Sequence, residues 1–269
     1  MHSSLIRALT SRQVNLRGLF SRGRAAAPPT DPLHSETPAL RDAEIACVYY
    51  GQRMAGDFYE FARVSPSRVL FGLFDIAGRR DDTRHILVAA QNTFRCAAQD
   101  FFSGQDFNET GAMTELCRLL NQMILRVAGV RSCPALLGCY NEELGTVCYA
   151  NAGHSPALLR DSDGIAVLPA TGLPFGLFTH APHSASTCHL VPGAALLLIS
   201  RGVLEAERDG EEFGLRGAEQ ALDGSQACSA RDLCLDVLHS VQRFMRTPPT
   251  HNDMTAMALV RGIKAQARI

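Results

Sequence analysis

Lysine is almost missing from this chain: Lys264 is the only one, so nearly all of the 26 Lys and Arg residues are arginines. Charge of either sign is not in excess, since 27 acidic residues bring the net charge to −1. That balance leaves no bulk cationic surplus for holding nucleic acid. No apolar run approaches the length a bilayer-spanning helix requires. Cys-x-x-Cys pairs are absent as well. The nine cysteines, Cys47, Cys96, Cys117, Cys133, Cys139, Cys148, Cys188, Cys228 and Cys234, stand singly and mostly within apolar stretches. An odd count without tight spacing argues against a disulfide framework and against structural zinc. The cysteines read as small buried hydrophobes in a reducing, cytoplasmic compartment. There is no internal repeat and no long low-complexity tract.

What remains is ordinary globular material: 269 residues, 46% hydrophobic and 20% charged, long enough for a sizeable core. The ends differ from the middle. Residues 1–40 form a basic arm and a linker, with Arg7, Arg12, Arg17, Arg22 and Arg24 and no acid before Asp31. Leu5, Ile6, Leu9, Leu16, Leu19 and Phe20 would make a partial apolar stripe if the arm were helical. Pro28, Pro29 and Pro32 then favour extended chain. The arm reads as a flexible arginine-rich tail. Peripheral contact with an anionic membrane, partner binding and an organelle transit peptide are the alternatives its composition leaves open. Residues 41–262 form the folded domain, and 263–269 a tail.

Within 41–262 short apolar runs bounded by turns predict strands at 44–50, 57–64, 68–76, 134–140, 145–151, 157–160, 164–168, 187–190, 194–200 and 254–260. Ile86, Ala89, Ala90, Thr93, Phe94 and Ala97 recur at helical spacing over 82–101, as do Met113, Leu116, Leu120, Met123 and Ile124 over 109–127. Ser229-Ala-Arg-Asp232 has the capping-box form that opens a helix through Val241. Adjacent helices set among hairpin-like strands make the class α+β rather than alternating βαβ.

Six fragments, in order, then carry a resemblance. Gly56-Asp57-Phe58-Tyr59-Glu60-Phe61, Asp75-Ile76-Ala77-Gly78 and Tyr149-Ala-Asn-Ala-Gly-His154-Ser-Pro-Ala157 come first. Leu173-Pro-Phe-Gly-Leu177, Leu196-Leu-Leu-Ile-Ser-Arg-Gly-Val-Leu-Glu-Ala206 and Asn252-Asp253-Met254-Thr255 follow. Together, across about 44–261, they resemble the PPM-type metal-dependent serine/threonine phosphatases in the branch of RsbU and SpoIIE. The Gly-His-x-Pro piece around His154 is the most specific.

The resemblance implies an αββα sandwich, two antiparallel sheets flanked by helices, with a metal site at one end. It implies hydrolysis of phosphoserine or phosphothreonine on small regulatory proteins such as anti-sigma-factor antagonists. Such chemistry uses two Mn²⁺ or Mg²⁺ ions, which clamp phosphate oxygens and supply a hydroxide near neutral pH. By correspondence, Asp75 bridges both metals, the Ile76 backbone carbonyl completes one site, and Asp57 orients metal-bound water. Asp57 and Asp75 are therefore the candidate catalytic residues. Two further aspartates of the family correspond here to Arg201 and Asn252.

Those two positions set the functional question. A guanidinium stays charged and repels a cation at close range, and an amide offers an oxygen without charge. Asp253 is adjacent, but neighbouring strand residues point to opposite faces, so it is expected to face away. Arg79-Arg80-Asp81-Asp82 replaces the family's flexible small residues, and Phe74 and Ala55 replace glycines. Arg201 is expected to salt-bridge Asp75 in the metal's stead. Two functions stay open: a working phosphatase with a degraded metal site, or a pseudophosphatase that binds a phosphorylated regulatory or other signalling protein, without cofactor. Members of the branch usually carry regulatory modules upstream, where this sequence offers only the basic arm. His154 reads as a hydrogen-bonded structural residue. A serine-hydrolase elbow at Ser155 with His251 as base is rejected, because Pro156 and a turn follow where a helix is needed.

Overall fold

The run Val69-Leu-Phe-Gly-Leu-Phe74 has no polar residue to alternate with its apolar ones, because strand β3 (Arg68–Asp75) is buried on both faces. A computed structural model describes residues 36–50, 56–76, 78, 80–104, 107–128, 131–245 and 253–262. The arm at 1–30, the tail at 263–269 and Asn252 lie outside the described residues.

Strand β3 sits in a five-stranded antiparallel sheet of order β2-β3-β4-β5-β8. Its partners are β2 (Asp57–Ser65), β4 (Ala135–Asn141), β5 (Thr146–Ala152) and β8 (Ser186–His189). A second sheet of five strands has the order β1-β12-β9-β6-β7. It is built from β1 (Ala43–Tyr50), β6 (Ala157–Asp161), β7 (Gly164–Leu168), β9 (Ala195–Ile199) and β12 (Met254–Arg261). The central strands β9 and β12 are as uniformly apolar as β3 and for the same reason.

Helices cover the outer faces. Over the first sheet lie α1 (Arg80–Phe102) and α2 (Glu109–Ala128), which bury Ile86, Ala90, Phe94, Leu116, Leu120 and Ile124 against Phe58, Leu70, Phe74 and Leu137. Next come the one-turn α3 (Arg201–Leu204), the small hairpin β10 (Glu207–Arg208) and β11 (Glu211–Glu212), and α4 (Gly214–Gly224). Together with α5 (Ala230–Met245), α4 covers the second sheet through Ala218, Leu222, Leu233, Val237 and Val241. The N-cap half of the expected capping box forms, the Asp232 backbone N–H donating to Ser229 Oγ at 3.0 Å, while the Asp232 carboxylate accepts the Ser229 hydroxyl at 2.8 Å instead of its backbone N–H. The whole is the expected αββα sandwich, with a middle layer of Ile45, Phe61, Phe71, Leu73, Leu196, Leu198, Met257 and Leu259 between the sheets.

Alternation along the central strands decides what stands at the end of that middle layer. Phe71 and Leu73 point between the sheets, so Asp75 does too, and Tyr59 and Phe61 carry Asp57 to the same side. Met257 and Leu259 place Thr255 there, and Leu196 and Leu198 place Ser200. Four polar side chains thus converge where the apolar layer ends.

Strand β9 falls within the expected 194–200, while the one-turn α3 after it and α4 have no counterpart in the sequence reading, α4 because its short apolar stripe follows two glycines and a charged turn. Among the cysteines Cys96 and Cys228 are exposed, on the solvent side of α1 and in the loop before α5, while the others are buried or partly so. All nine are free thiols. Among the described residues no helix is long and apolar enough to cross a membrane.

Candidate functional site

Asp57 opens β2 and Asp75 closes β3, and the antiparallel register sets them directly opposite each other. Both are buried. Two carboxylates brought out of water side by side favour their neutral forms. Burial, and next the charge of Asp75, push the Asp57 carboxyl up to about 7, with the charge of Asp253 adding to the rise. The hydroxyls of Ser200 and Thr255 pull it back, Thr255 Oγ1 donating to Asp57 Oδ2 at 2.8 Å. Burial likewise raises Asp75, and the positive charge of Arg201 opposes the rise.

Arg201 stands where the sequence placed it. Its Nε lies 3.4 Å from Asp75 Oδ2 and 3.7 Å from Glu205 Oε1, one turn along α3. The side chain remains 60% exposed, so the pair is a mouth contact and not a sealed one. Neither distance meets hydrogen-bond geometry, and the attraction is one of charge.

The backbone around the pair is tight. Ile76 N–H donates to the Gly56 carbonyl at 3.2 Å, and the Ile76 carbonyl oxygen sits so close to Gly56 that a Cβ there would lie 2.0 Å from it. Gly78 has φ +124°, and a Cβ on it would meet Arg131 Nη1 at 2.6 Å. Arg131 therefore lies against Gly78, three residues after Asp75.

His154 is more than a packing residue. Asn151 Oδ1 accepts its backbone N–H at 2.8 Å, and its Nδ1 lies 3.2 Å from the Ser155 carbonyl, which accepts a hydrogen from that nitrogen. The residue is 5% exposed, and Nε2 is buried with no hydrogen-bond partner among the described residues. Burial, more than the positive charge of Arg201, drives the imidazole down to about 4, against the Ser155 bond that raises it; it is neutral near pH 7. Ser155 itself is followed by strand β6 at Ala157 and not by a helix, so the hydrolase elbow is not formed.

Asp253 departs from expectation. It is buried, and its charge acts on Asp57. The phase of β12 explains this: Thr255 faces Asp57, and residue 253, two positions earlier, shares its side.

A two-metal centre needs several carboxylates with free lone pairs. Asp57 accepts from Thr255, Asp75 faces a guanidinium, and no group of three His, Cys, Asp or Glu side chains among the described residues is placed to hold a metal ion. Sequence reasoning found Asp57, Asp75 and Arg201 but missed Ser200, Thr255 and Glu205. Ser200 and Thr255 could have been found by extending the strand alternation one step past the apolar run, and Glu205 by its i+4 spacing from Arg201.

Comparison with known proteins agrees with this architecture. A family model for Stage II sporulation protein E (SpoIIE) matches residues 66–261. The phosphoserine phosphatase RsbP of Bacillus subtilis (strain 168) is 25% identical over 172 residues, 62% of this chain and 41% of that protein. The chain thus spans about two fifths of that relative's length. Among solved structures, the RsbU and RsbW domains of a Mycobacterium tuberculosis protein superpose with a TM-score of 0.68 at 22% identity, covering 84% of this chain and 61% of that one. The SpoIIE phosphatase domain of Bacillus subtilis gives 0.62 at 15% identity, covering 84% and 95%.

Proposed function

We propose that this chain, which belongs to the SpoIIE and RsbU branch of the PPM-type serine/threonine phosphatases, keeps the family scaffold as a regulatory protein-binding module and has given up its metal chemistry. The Arg201–Asp75 contact carries the reading: a permanent cation 3.4 Å from the carboxylate that corresponds to the family's metal bridge. A divalent ion brought to Asp75 would meet that charge at close range, where repulsion in a partly buried site amounts to several kcal/mol. By correspondence Asn252 removes a second carboxylate. What the module would bind is a phosphorylated regulatory protein, the class on which the branch acts.

A second reading, a working phosphatase with a rearranged Mn²⁺ or Mg²⁺ site, is favoured by one observation: Asp57 and Asp75 are both retained and directly opposed. Hydrolysis of a phosphoserine peptide with Mn²⁺ separates the two, measured beside the revertant Arg201→Asp, Asn252→Asp and beside Asp75→Ala. Silence in the parent with turnover in the revertant is expected. Turnover in the parent that Asp75→Ala abolishes would establish the phosphatase reading instead.

A further inference from the structure

Strand β1 is a sheet edge that its own sequence leaves unguarded. Each five-stranded sheet has two edges, β1 and β7 in one, β2 and β8 in the other. An open edge invites foreign strands, and short length, a bulge, proline, lysine or an inward charge discourages them. Strands β7 and β8 have only five and four residues. Strand β2 has a register shift between Arg63 and Ser65, and it carries the buried Glu60, whose carboxylate meets Arg95 at 3.1 Å. Strand β1 runs for eight residues in unbroken register with β12, without proline or lysine, and Glu44 is its only charge.

The phase of the ladder decides which backbone groups face outward. The Gly262 N–H donates to the Asp42 carbonyl at 2.8 Å, so alternation turns the groups of Glu44, Ala46 and Val48 toward β12. Ala43, Ile45 and Cys47 turn theirs away from the sheet, where they bond to no other described residue. Ile45 is only 2% exposed, so its outward groups are both unpaired and shielded from water. That costs free energy which a paired strand would recover.

The shield is the segment 36–42. Residues Thr37 to Leu40 form one wall of a cavity of about 520 Å³, and Ala43 to Cys47 with Arg231 form the others. The segment makes no backbone ladder with β1 and is held instead by charge. Arg63 Nη2 donates to the Ala39 carbonyl and, at 2.7 Å, to Glu142 Oε1. Arg41 Nη2 donates to the Pro66 carbonyl at 2.7 Å, and its Nε lies 3.6 Å from Glu142 Oε2. Glu142 is buried, so one carboxylate on the β4–β5 turn secures both arginines.

We propose that residues 36–42 are a strap, latched by Glu142, over an edge that pairs with β1 of a second copy of this chain when the strap lifts. Two-fold symmetry makes an edge complementary to itself. An axis at Ala46 sets Ile45 opposite Cys47 of the second copy and Glu44 opposite its Val48, so a small residue lies on the axis and like charges do not meet. The device is independent of whether Asp75 binds metal.

The test uses the full chain beside the latch variants Glu142→Gln and Arg63→Met. Alkylation of Cys47 by N-ethylmaleimide, read by mass spectrometry, reports the strap, because Cys47 lines the cavity. The buried Cys139 reports global unfolding. Both variants speed Cys47 alkylation roughly tenfold, the weight of one charged hydrogen bond, with Cys139 unchanged. Sedimentation velocity shows a dimer whose dissociation constant is roughly a hundredfold below the parent's, because two straps must open. Adding Cys47→Pro removes only an outward N–H, a position where an edge tolerates proline, and returns the variants to monomer. Where circular dichroism shows that protein unfolded, Ala43→Pro at the first strand residue replaces it and weakens the dimer. Unchanged Cys47 alkylation in both latch variants overturns the strap. Variants that open yet stay monomeric overturn the second copy as occupant, and a dimer indifferent to the proline overturns the β1 edge as its interface.

Discussion

Thr255 Oγ1 donates to Asp57 Oδ2 at 2.8 Å, joining the last strand of one sheet to the first strand of the other across 198 residues of sequence. The bond is buried, and its acceptor is the carboxyl that burial and Asp75 push up to about 7. Thr255→Val preserves shape and removes the donor. A hydrogen bond to a charged group is worth roughly 1.5–3 kcal/mol, more than one to a neutral group. Urea unfolding should therefore show a loss of about 2 kcal/mol at pH 8, where Asp57 is mostly ionised, and a smaller loss at pH 5. Equal losses at the two pH values would mean that the bond does not serve the carboxylate.

The raised Asp57 gives a definite sign to pH dependence. Its folded pKa of about 7 lies above the ordinary 3.8, so between those values the folded state holds a proton the unfolded chain releases. The stability it contributes is fully present below pH 3.8 and is lost as pH rises through about 7. His154 runs the other way: lowered from 6.5 to about 4, it contributes stability above pH 6.5 that is lost as pH falls through 4. The two trends oppose each other across pH 4–6.5. Asp57→Asn removes one of them. Relative to the parent, its stability should rise with pH from 4 to 7, by roughly 1.4 kcal/mol for each pH unit at most. Thermal melts in a pH series check this, and a constant difference between the two proteins would show that Asp57 titrates normally.

The strand phases explain how much of this could be read beforehand. Runs such as Val69–Phe74 and Ala195–Ile199 announce themselves because two-sided burial removes polar residues, and six ordered fragments tied them to one architecture. The site was partly legible, since Asp57, Asp75 and Arg201 stand in those fragments. What pairs with them was not. Thr255 and Ser200 have no unusual chemistry as residue types, and their role comes from a meeting of two sheets that no local pattern encodes. Asp253 shows the same limit: alternation was applied from Asn252, whereas the strand takes its phase from Thr255. Helix α4 escaped because its buried residues, Ala218 and Leu222, are too few to make a periodic signal.

Gly56 is set by contact and not by an unusual backbone angle. A Cβ on it would lie 2.0 Å from the Ile76 carbonyl oxygen and 2.9 Å from the Ile76 carbonyl carbon. Both are backbone atoms, so no side-chain rotation relieves the clash. Gly56→Ala must separate β2 from the turn after β3 and with them Asp57 from Asp75. The expected cost is about 3 kcal/mol, at the upper end for overpacking. A melting temperature within a degree or two of the parent would show that the turn yields easily.

Asn121 holds the loop beside His154. It is buried on α2, its Oδ1 accepting the Gly176 N–H at 2.8 Å and its Nδ2 donating to the Phe178 carbonyl at 2.9 Å. The loop is also bridged at Phe175, which exchanges two backbone bonds with Cys133, and its Pro174 packs on Gly153 next to His154. Asn121→Leu keeps the volume and removes both side-chain bonds, leaving the Gly176 N–H and the Phe178 carbonyl to find water. Each such loss costs roughly 1–3 kcal/mol when the group stays buried. Phe178 is itself exposed and Gly176 is buried, so the penalty falls mainly on Gly176. Hydrogen exchange should then accelerate at Gly176 while the Cys133–Phe175 amides stay protected, with about 2 kcal/mol lost overall. Acceleration spread evenly over both would mean that Asn121 and the backbone bridge open as one unit, and that the loop is held by the sheet instead of by α2.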